Sequence, residues 1–240
     1  MFEPSYQQMP SGSSPQGNFP PPKSLLDSIL SHLLMGSAVS GLMFFLLVWP
    51  SVKEQQTQRK SSTNLPGTVP LVMKGGDPHI RALMRTISAS ESNVSQPYAV
   101  IYGGEYASNL SRHPERCVTI VSGPNKGNCS TAAGRYQMLN KTWKEKAHRY
   151  HPNPEQLIFW TNYSFEAEYQ DAVVYAWLKD RQAWGADIPK MLKQGKLEQV
   201  LRLLSSTWTS LGYGIETNSM SRHLPKIYQQ LLREELEAAG

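Results

Sequence analysis

The feature that most restricts the fold of this chain is a long uncharged stretch near its N-terminus. No Asp, Glu, Lys or Arg occurs between Asp27 and Lys53, and the stretch that begins at Ser28 and ends at Trp49 reads SILSHLLMGSAVSGLMFFLLVW. About 20 consecutive, mostly apolar residues span a bilayer as a helix. We therefore predict a single transmembrane helix over residues 25–50.

A cleaved signal peptide is the alternative for this stretch. We favour the membrane helix because the stretch is long, lies well inside the chain and is followed by no A-x-A cleavage motif. Small residues at helix-packing spacing favour self-association through this helix. They are Gly36, Ser37, Ser40 and Gly41.

Polar segments flank the predicted membrane helix. Residues 1–24 are rich in Pro, Ser, Gly and Gln and lack apolar periodicity, so we expect a disordered tail. Residues 51–76 contain Gln, Ser, Thr, Pro and Gly-Gly, a composition that predicts a flexible linker. The remainder, residues 77–240, is long enough for one well-packed domain and too short for two large ones.

Charge and cysteine content narrow the classes of partner. The formal net charge of +5 favours an anionic partner, but no Lys- and Arg-rich run with interleaved aromatic residues points to nucleic acid. The six histidines lack metal-ligand spacing, and we predict neither a metal nor a cofactor.

The two cysteines, Cys117 and Cys129, favour one disulfide in an exported domain; two separate buried thiols are the alternative.

Apolar periodicity predicts a mainly helical domain. Asp77 followed by Pro78 is typical of a helix start, and the apolar face that follows should end near Glu91. Two short β-prone runs, residues 98–102 and 118–121, predict a small β element.

Later helices are predicted from their caps and apolar faces. Ser130 or Thr131 can cap a second helix that carries Tyr136 and Leu139, and Ser164 can cap a third. Further helices are expected at residues 188–193, 197–211 and 219–237, with Trp143, Trp177 and Trp208 in the core.

Four stretches, taken in order, resemble a known family. ALMRTISASES ends in Glu91 and Ser92; VIYGGEYAS is followed by SRHPE; STAAGRYQMLNKTW contains Ala-Gly-Arg-Tyr-Gln; and FEAEYQDAVV precedes STWTSLGYG. The chain resembles the lambda-type phage endolysins, which are peptidoglycan lytic transglycosylases. The resemblance covers about residues 80–232 and implies an α+β, mainly helical, lysozyme-like domain with Glu91 as its catalytic acid/base. One departure is Ser92-Asn93, where the family usually has Gly-Thr.

The predicted surroundings of Glu91 suit proton transfer to a glycosidic oxygen. A carboxyl group does this at neutral pH only if its pKa is raised. The negative end of the helix dipole and apolar neighbours such as Ile87, Tyr98 or Tyr102 would each raise the pKa. We therefore predict that Glu91 is protonated at rest.

A hydrolase needs a second carboxylate, whereas the resemblance implies a reaction that uses Glu91 alone and forms a 1,6-anhydro sugar. Glu105 is the candidate second carboxylate, and otherwise forms a cap or a salt bridge. Asp171 is expected to be structural. A hydrolytic muramidase is thus the alternative reaction type.

Residues of the Ala-Gly-Arg-Tyr-Gln motif suit the binding of sugars and peptide carboxylates. We predict substrate binding by Arg135, Tyr136 and Gln137, although Tyr136 also suits the core and Arg135 a local ion pair. Tyr213 is a further candidate for the cleft. His113 precedes a proline, and we expect it to have a structural role.

These inferences predict a membrane-anchored enzyme that cuts the glycan strands of peptidoglycan, its substrate and partner. The positive-inside rule, applied to Lys53, Arg59 and Lys60, would place the domain in the cytoplasm. That rule is unreliable for long translocated domains, so we infer the orientation from the substrate of the domain. We predict that the chain lies in the bacterial inner membrane, with the domain facing the periplasm. The alternative is a non-catalytic peptidoglycan-binding anchor, which Ser92-Asn93 favours and Glu91 opposes.

Overall fold

The computed structural model describes residues 68–213 and 219–240. The predicted disordered tail (residues 1–24), the predicted membrane helix (residues 25–50) and residues 51–67 of the predicted linker lie outside these ranges. Within the two described ranges, no helix is long and apolar enough to cross a membrane.

Helices make up most of the regular structure, as predicted. The α-helices of the described residues are α1 (Pro78–Glu91), α2 (Asn140–Tyr150), α3 (Ala167–Lys179), α4 (Arg181–Trp184), α5 (Ile188–Lys193), α6 (Leu197–Leu204) and α7 (Leu224–Ala239). Single 3-10 turns are formed by Thr209–Leu211 and Ser221–His223. The β structure consists of two antiparallel hairpins, β1 (Val118–Thr119) with β2 (Cys129–Ser130) and β3 (Glu155–Gln156) with β4 (Thr161–Asn162).

Helix α1 lies at the centre of the domain and packs along α7. Its start is the predicted one, because the Asp77 carboxylate accepts the His79 backbone N–H at 2.9 Å. The predicted apolar face is completely buried and comprises Ile80, Leu83, Met84 and Ile87. Burial also extends to the polar residues Arg85, Thr86 and Ser88, so α1 is enclosed on more than the one face that its periodicity indicates.

The buried charge of Arg85 is compensated by partners distant in sequence. Its guanidinium donates to Glu235 at 2.9 Å and to Glu234 at 2.6 Å, both on α7. It also donates to the Thr68 carbonyl through two nitrogens, at 2.9 and 2.7 Å. A buried charge is tolerated when it is paired and hydrogen-bonded in this way. Arg85 therefore fixes both α7 and the segment at Thr68 to α1.

The segment before α1 differs from the prediction. Thr68 and Leu71, which we assigned to the flexible linker, are buried in the domain. The Asp171 carboxylate accepts the backbone N–H groups of Val72 and Met73 at 2.9 and 3.2 Å. The packed domain thus includes residues before Asp77, which polar composition alone does not indicate.

The second predicted helix begins later than expected. Helix α2 starts at Asn140, and Tyr136 and Leu139 precede it. Residues 133–138 instead form a turn that is closed by mutual backbone hydrogen bonds between Ala133 and Met138. The turn requires left-handed backbone at Gly134 (φ +72°) and Gln137 (φ +43°), which an α-helix cannot contain.

Other boundaries also shift. Within residues 98–102, Val100 and Ile101 form isolated β-bridges and no strand, and the β3–β4 hairpin was not predicted. Helix α3 starts after Phe165, and the predicted helix over residues 197–211 ends at Leu204. The last helix begins at Leu224, where Pro225 occupies its first turn, as expected from a residue without a backbone N–H.

Gly134 provides a test of this turn. An added Cβ would lie 2.7 Å from Phe165 Cζ and closer still to Gln170 Oε1. We predict that Gly134→Ala lowers the free energy of unfolding by about 3 kcal/mol, through overpacking and backbone strain together. The measurement is urea unfolding followed by tryptophan fluorescence.

Gly104→Ala is the matched control for that variant. Gly104 also has a positive φ of +93°, but an added Cβ would meet nothing within 4 Å. Strain alone should cost about 1 kcal/mol. Equal destabilisation by the two substitutions would contradict the close contact of Gly134 with Gln170 and Phe165.

Candidate active site

Glu91 is the last residue of α1, as predicted, and its side chain is half-buried. An oxygen of its carboxyl group accepts a hydrogen bond from the Ser210 hydroxyl. Ser210 lies in the 3-10 turn Thr209–Leu211, which packs against α1. The catalytic candidate is thus positioned by a residue 119 positions away in the chain.

Two further serines hold Ser210 in place. The Ser90 hydroxyl donates to the Ser210 carbonyl at 2.8 Å, and the Ser221 hydroxyl donates to the same oxygen at 2.9 Å. The turn at Ser210 is therefore tied both to α1 and to the 3-10 turn before α7. We did not predict this group from the sequence, because it joins three segments that no local pattern connects.

Ser92, which stands where the family usually has glycine, is the C-cap of α1. Its backbone has φ −145° and ψ 58°, so a left-handed conformation, which would favour glycine, is not required. The buried Ser92 hydroxyl donates to the Arg135 carbonyl at 2.7 Å. The serine therefore adds a tie between the end of α1 and the turn at residues 133–138.

Arg135 is located in the interior, and the prediction that it binds substrate is wrong. Its side chain has no exposed surface. Its guanidinium donates to the Tyr98 hydroxyl at 3.0 Å and to the Pro70 carbonyl at 3.2 Å, and lies 5.0 Å from the centroid of the Tyr98 ring. Through these contacts, Arg135 holds the segment before α1 in place.

Tyr136 is also buried, so the core alternative is correct and substrate binding is not. Its hydroxyl donates to Asp171 at 2.6 Å, and burial raises the pKa of that hydroxyl well above its usual value. The second Asp171 oxygen accepts the Tyr98 hydroxyl at 2.7 Å. Asp171 thus has the structural role we expected.

Gln170 completes this buried network and was missed in the sequence. Its side-chain oxygen accepts the Arg135 backbone N–H at 2.9 Å, and its nitrogen donates to the carbonyls of Tyr98 and Phe165 at 2.9 and 2.8 Å. The Gln-Asp-Ala stretch of α3 is the sequence signal that could have pointed to Gln170. A glutamine on a buried helix needs hydrogen-bond donors and acceptors from other segments, and so joins them.

Gln137 has left-handed backbone within the turn, and its side chain is half-buried. Its amide nitrogen donates to the carbonyls of Gly134 and Val100, at 3.0 and 3.3 Å. These bonds give Gln137 a structural role, and its contact with substrate stays a prediction.

Glu105 forms a salt bridge, which was the alternative to a role as second carboxylate. It is 65% exposed and pairs with the guanidinium of Arg116, which is 54% exposed. The structure therefore places Glu105 in a surface ion pair, and its contact with substrate stays a prediction.

Tyr213 is partly exposed and has left-handed backbone, with φ +66°. The Arg202 guanidinium lies 4.5 Å from the centroid of its ring. Partial burial and the neighbouring Glu198 carboxylate raise the pKa of the Tyr213 hydroxyl. A role for Tyr213 in substrate binding stays a prediction.

The remaining predicted residues have structural roles. A disulfide joins Cys117 and Cys129, whose Cα atoms are 5.4 Å apart, as expected. His113 is buried: its Nε2 lies 2.9 Å from the Met138 carbonyl, its Nδ1 accepts the Glu115 N–H, and burial lowers its pKa. The expected core tryptophans are all buried, namely Trp143, Trp177 and Trp208.

Comparison with known proteins agrees with the motifs. The sequence model of the family described as Endolysin matches residues 81–233. The chain belongs to the endolysin family. The residues that match the endolysin model include Glu91, the turn at residues 133–138 and Ser210.

Individual endolysin relatives are also similar. The endolysin of Escherichia phage lambda is 37% identical over 120 residues, which cover 49% of this chain and 64% of the phage protein, slightly less than two thirds of its length. A structure of bacteriophage lambda lysozyme complexed with a chitohexasaccharide shares 28% identity, with a TM-score of 0.49, over 66% of this chain and 97% of that one. A second structure of lysozyme from bacteriophage lambda shares 26% identity, with a TM-score of 0.42, over 70% and 98%.

The hydrogen bond to Glu91 generates a direct test. We predict that Ser210→Ala lowers kcat for peptidoglycan cleavage about tenfold and leaves KM unchanged, because the hydrogen bond from Ser210 positions the Glu91 carboxyl group for proton transfer. Release of soluble fragments from purified wall measures the rate.

Ser206→Ala is the control, since Ser206 is exposed in the turn after α6 and its hydroxyl donates to the Leu203 carbonyl three residues before it. It should keep the activity of the unmodified chain. A Ser210→Ala variant that is as active as Ser206→Ala would show that the bond to Glu91 has no part in the reaction.

Proposed function

We propose that this chain is a membrane-anchored, lysozyme-like lytic transglycosylase that cuts the β-1,4 bond between MurNAc and GlcNAc in peptidoglycan, with Glu91 as the general acid and base. The observation that carries the proposal is the carboxyl group of Glu91, half-buried at the end of α1 and hydrogen-bonded by Ser210. Membership of the endolysin family supports the same reaction class.

The first step is proton transfer from Glu91 to the glycosidic oxygen. The bond between that oxygen and the anomeric carbon of MurNAc then breaks, and the GlcNAc side leaves as an alcohol. The MurNAc 6-hydroxyl attacks the anomeric carbon and gives its proton to the Glu91 carboxylate. The products are a 1,6-anhydro MurNAc end, a GlcNAc end with a free hydroxyl and a regenerated acid, so that the reaction consumes no water and needs no second carboxylate.

The states of two other carboxylates favour this single-acid route. A hydrolytic muramidase, the alternative reaction type, needs a second carboxylate near the scissile bond. Glu105 is exposed and paired with Arg116, and Asp171 is buried with hydrogen bonds to both of its oxygens. Glu105 is engaged in a surface ion pair and Asp171 in the core, which favours a route that needs no second carboxylate.

We also propose that residues 25–50 anchor the enzyme in the bacterial inner membrane, with the domain on the side of the wall. The uncharged stretch between Asp27 and Lys53 supports the anchor. The reaction supports the orientation, because peptidoglycan lies outside the cytoplasmic membrane. A tether of limited length suits local remodelling of the wall close to the membrane.

A Glu91→Gln variant tests the role of Glu91. An amide has the same shape as the carboxyl group but cannot donate and recover a proton, so we predict at least about a thousandfold loss of cutting. Binding to purified wall should remain. Mass analysis of the fragments released by the unmodified chain should find 1,6-anhydro ends.

The matched control is Glu237→Gln, because Glu237 is an exposed glutamate near the end of α7. It should cut at the rate of the unmodified chain. Fragments with reducing ends only would indicate a hydrolytic muramidase. Equal wall binding by the unmodified chain and the Glu91→Gln variant, with no fragments from either, would instead indicate the non-catalytic anchor.

A further inference from the structure

A concave surface lies on elements other than those that hold Glu91. It is formed by the segment before β1, by α2 and by the β3–β4 hairpin, and encloses about 570 Å³. Sites for small ligands commonly have volumes of a few hundred to about a thousand Å³. We call this surface the hairpin cleft. Its polar and aromatic walls include Arg112, Glu115, Lys144, His148, Trp160 and Tyr163.

The walls of the hairpin cleft are fixed to one another by hydrogen bonds. The Asn162 side chain donates to the Ser111 carbonyl at 3.3 Å. The Tyr163 hydroxyl lies 2.9 Å from Nδ1 of His148 on α2. The hairpin is therefore connected both to the segment before β1 and to α2.

The aromatic side chains of the cleft suit a sugar ring. Trp160 is 63% exposed although it is the largest type of apolar side chain, and Tyr163 is partly exposed beside it. A flat aromatic face with a polar edge can contact the C–H face of a sugar while neighbouring polar groups bind its hydroxyls. Asn162 and His148 are such polar neighbours in this cleft.

The charged side chains of the cleft suit an acidic polymer. Lys144 pairs with Glu115 at 2.7 Å. Arg112 is exposed and forms no salt bridge with any residue in the described ranges. The cleft thus presents two cations and one carboxylate, and an arginine can bind a carboxylate through two parallel hydrogen bonds. Peptidoglycan carries such carboxylates on its stem peptides.

The tip of the same hairpin has a different character. Ile158 and Phe159 are 91% and 87% exposed and are not part of the cleft wall. A membrane would contact this convex apolar tip, but a bilayer does not enter a concave, partly charged cleft. The cleft itself is therefore better explained by a polymer with sugar rings and carboxylates.

We propose that the hairpin cleft binds a second stretch of peptidoglycan, with a sugar ring on Trp160 and a stem-peptide carboxylate on Arg112. This inference rests on the proposed function, since it assumes that the wall is the substrate. A second contact would hold the enzyme on the wall between successive cuts and would leave the chemistry at Glu91 unchanged.

Wall binding by the full-length chain tests the hairpin cleft. All variants carry Glu91→Gln, so that the wall stays intact during the measurement, and binding is determined by sedimentation with purified sacculi. We expect Trp160→Ala to weaken binding about tenfold. Phe159→Ala is the matched control, because it removes a neighbouring exposed aromatic side chain outside the cleft, and it should bind as before.

Two further measurements complete the test. Arg112→Gln should weaken binding to sacculi but not to chitin, a glycan without stem peptides. With Glu91 intact, Trp160→Ala should cut short soluble wall fragments at the normal rate. Loss of that cutting would place Trp160 at the reacting site and overturn the inference.

The binding results distinguish this inference from the proposed function. Equal weakening by Trp160→Ala and Phe159→Ala would indicate that the apolar tip of the hairpin, and not the cleft, contacts the wall, and would overturn the assignment of the cleft. Unchanged binding in Trp160→Ala would also overturn it. A chain that binds through Trp160 but never cuts wall would retain the hairpin cleft and refute only the proposed function.

Discussion

The position of Glu91 depends on the burial of α1, a helix that carries an arginine and several hydroxyl side chains into the interior. Burial of these groups is tolerated because each has partners, above all Arg85, which is paired with Glu234 and Glu235 and bound to the Thr68 carbonyl. A helix fixed along its length presents its last residue in one place. At that end, Ser210 adds the hydrogen bond that orients the Glu91 carboxyl group.

The motif by which the chain is most easily related to the endolysin family supports this geometry from inside the domain. Arg135 and Tyr136 of the Ala-Gly-Arg-Tyr-Gln stretch are buried and bound to Tyr98 and Asp171. The Arg135 carbonyl accepts the Ser92 hydroxyl next to Glu91. These residues therefore position the end of α1, although their chemistry suits sugar binding equally well when only the sequence is read.

Sequence reasoning succeeded where local pattern determines structure. The start of α1 at Asp77, its end at Glu91 and the burial of Trp143 each follow from caps or apolar spacing. It failed where the local structure depends on residues that are distant in the sequence. The left-handed turn at Gly134 is imposed by close contact with α3, and Ser210 reaches Glu91 across 119 positions. Burial of Arg135 depends on partners before α1 that composition assigned to a linker.

The central claim is that the Glu91 carboxyl group meets the bond that is cut. The most direct measurement is a crystal structure of the Glu91→Gln variant with a bound peptidoglycan tetrasaccharide. We predict that the side-chain amide at position 91 lies about 3 Å from a glycosidic oxygen, within hydrogen-bond reach. A glycan bound with every glycosidic oxygen beyond the reach of position 91 would contradict the account.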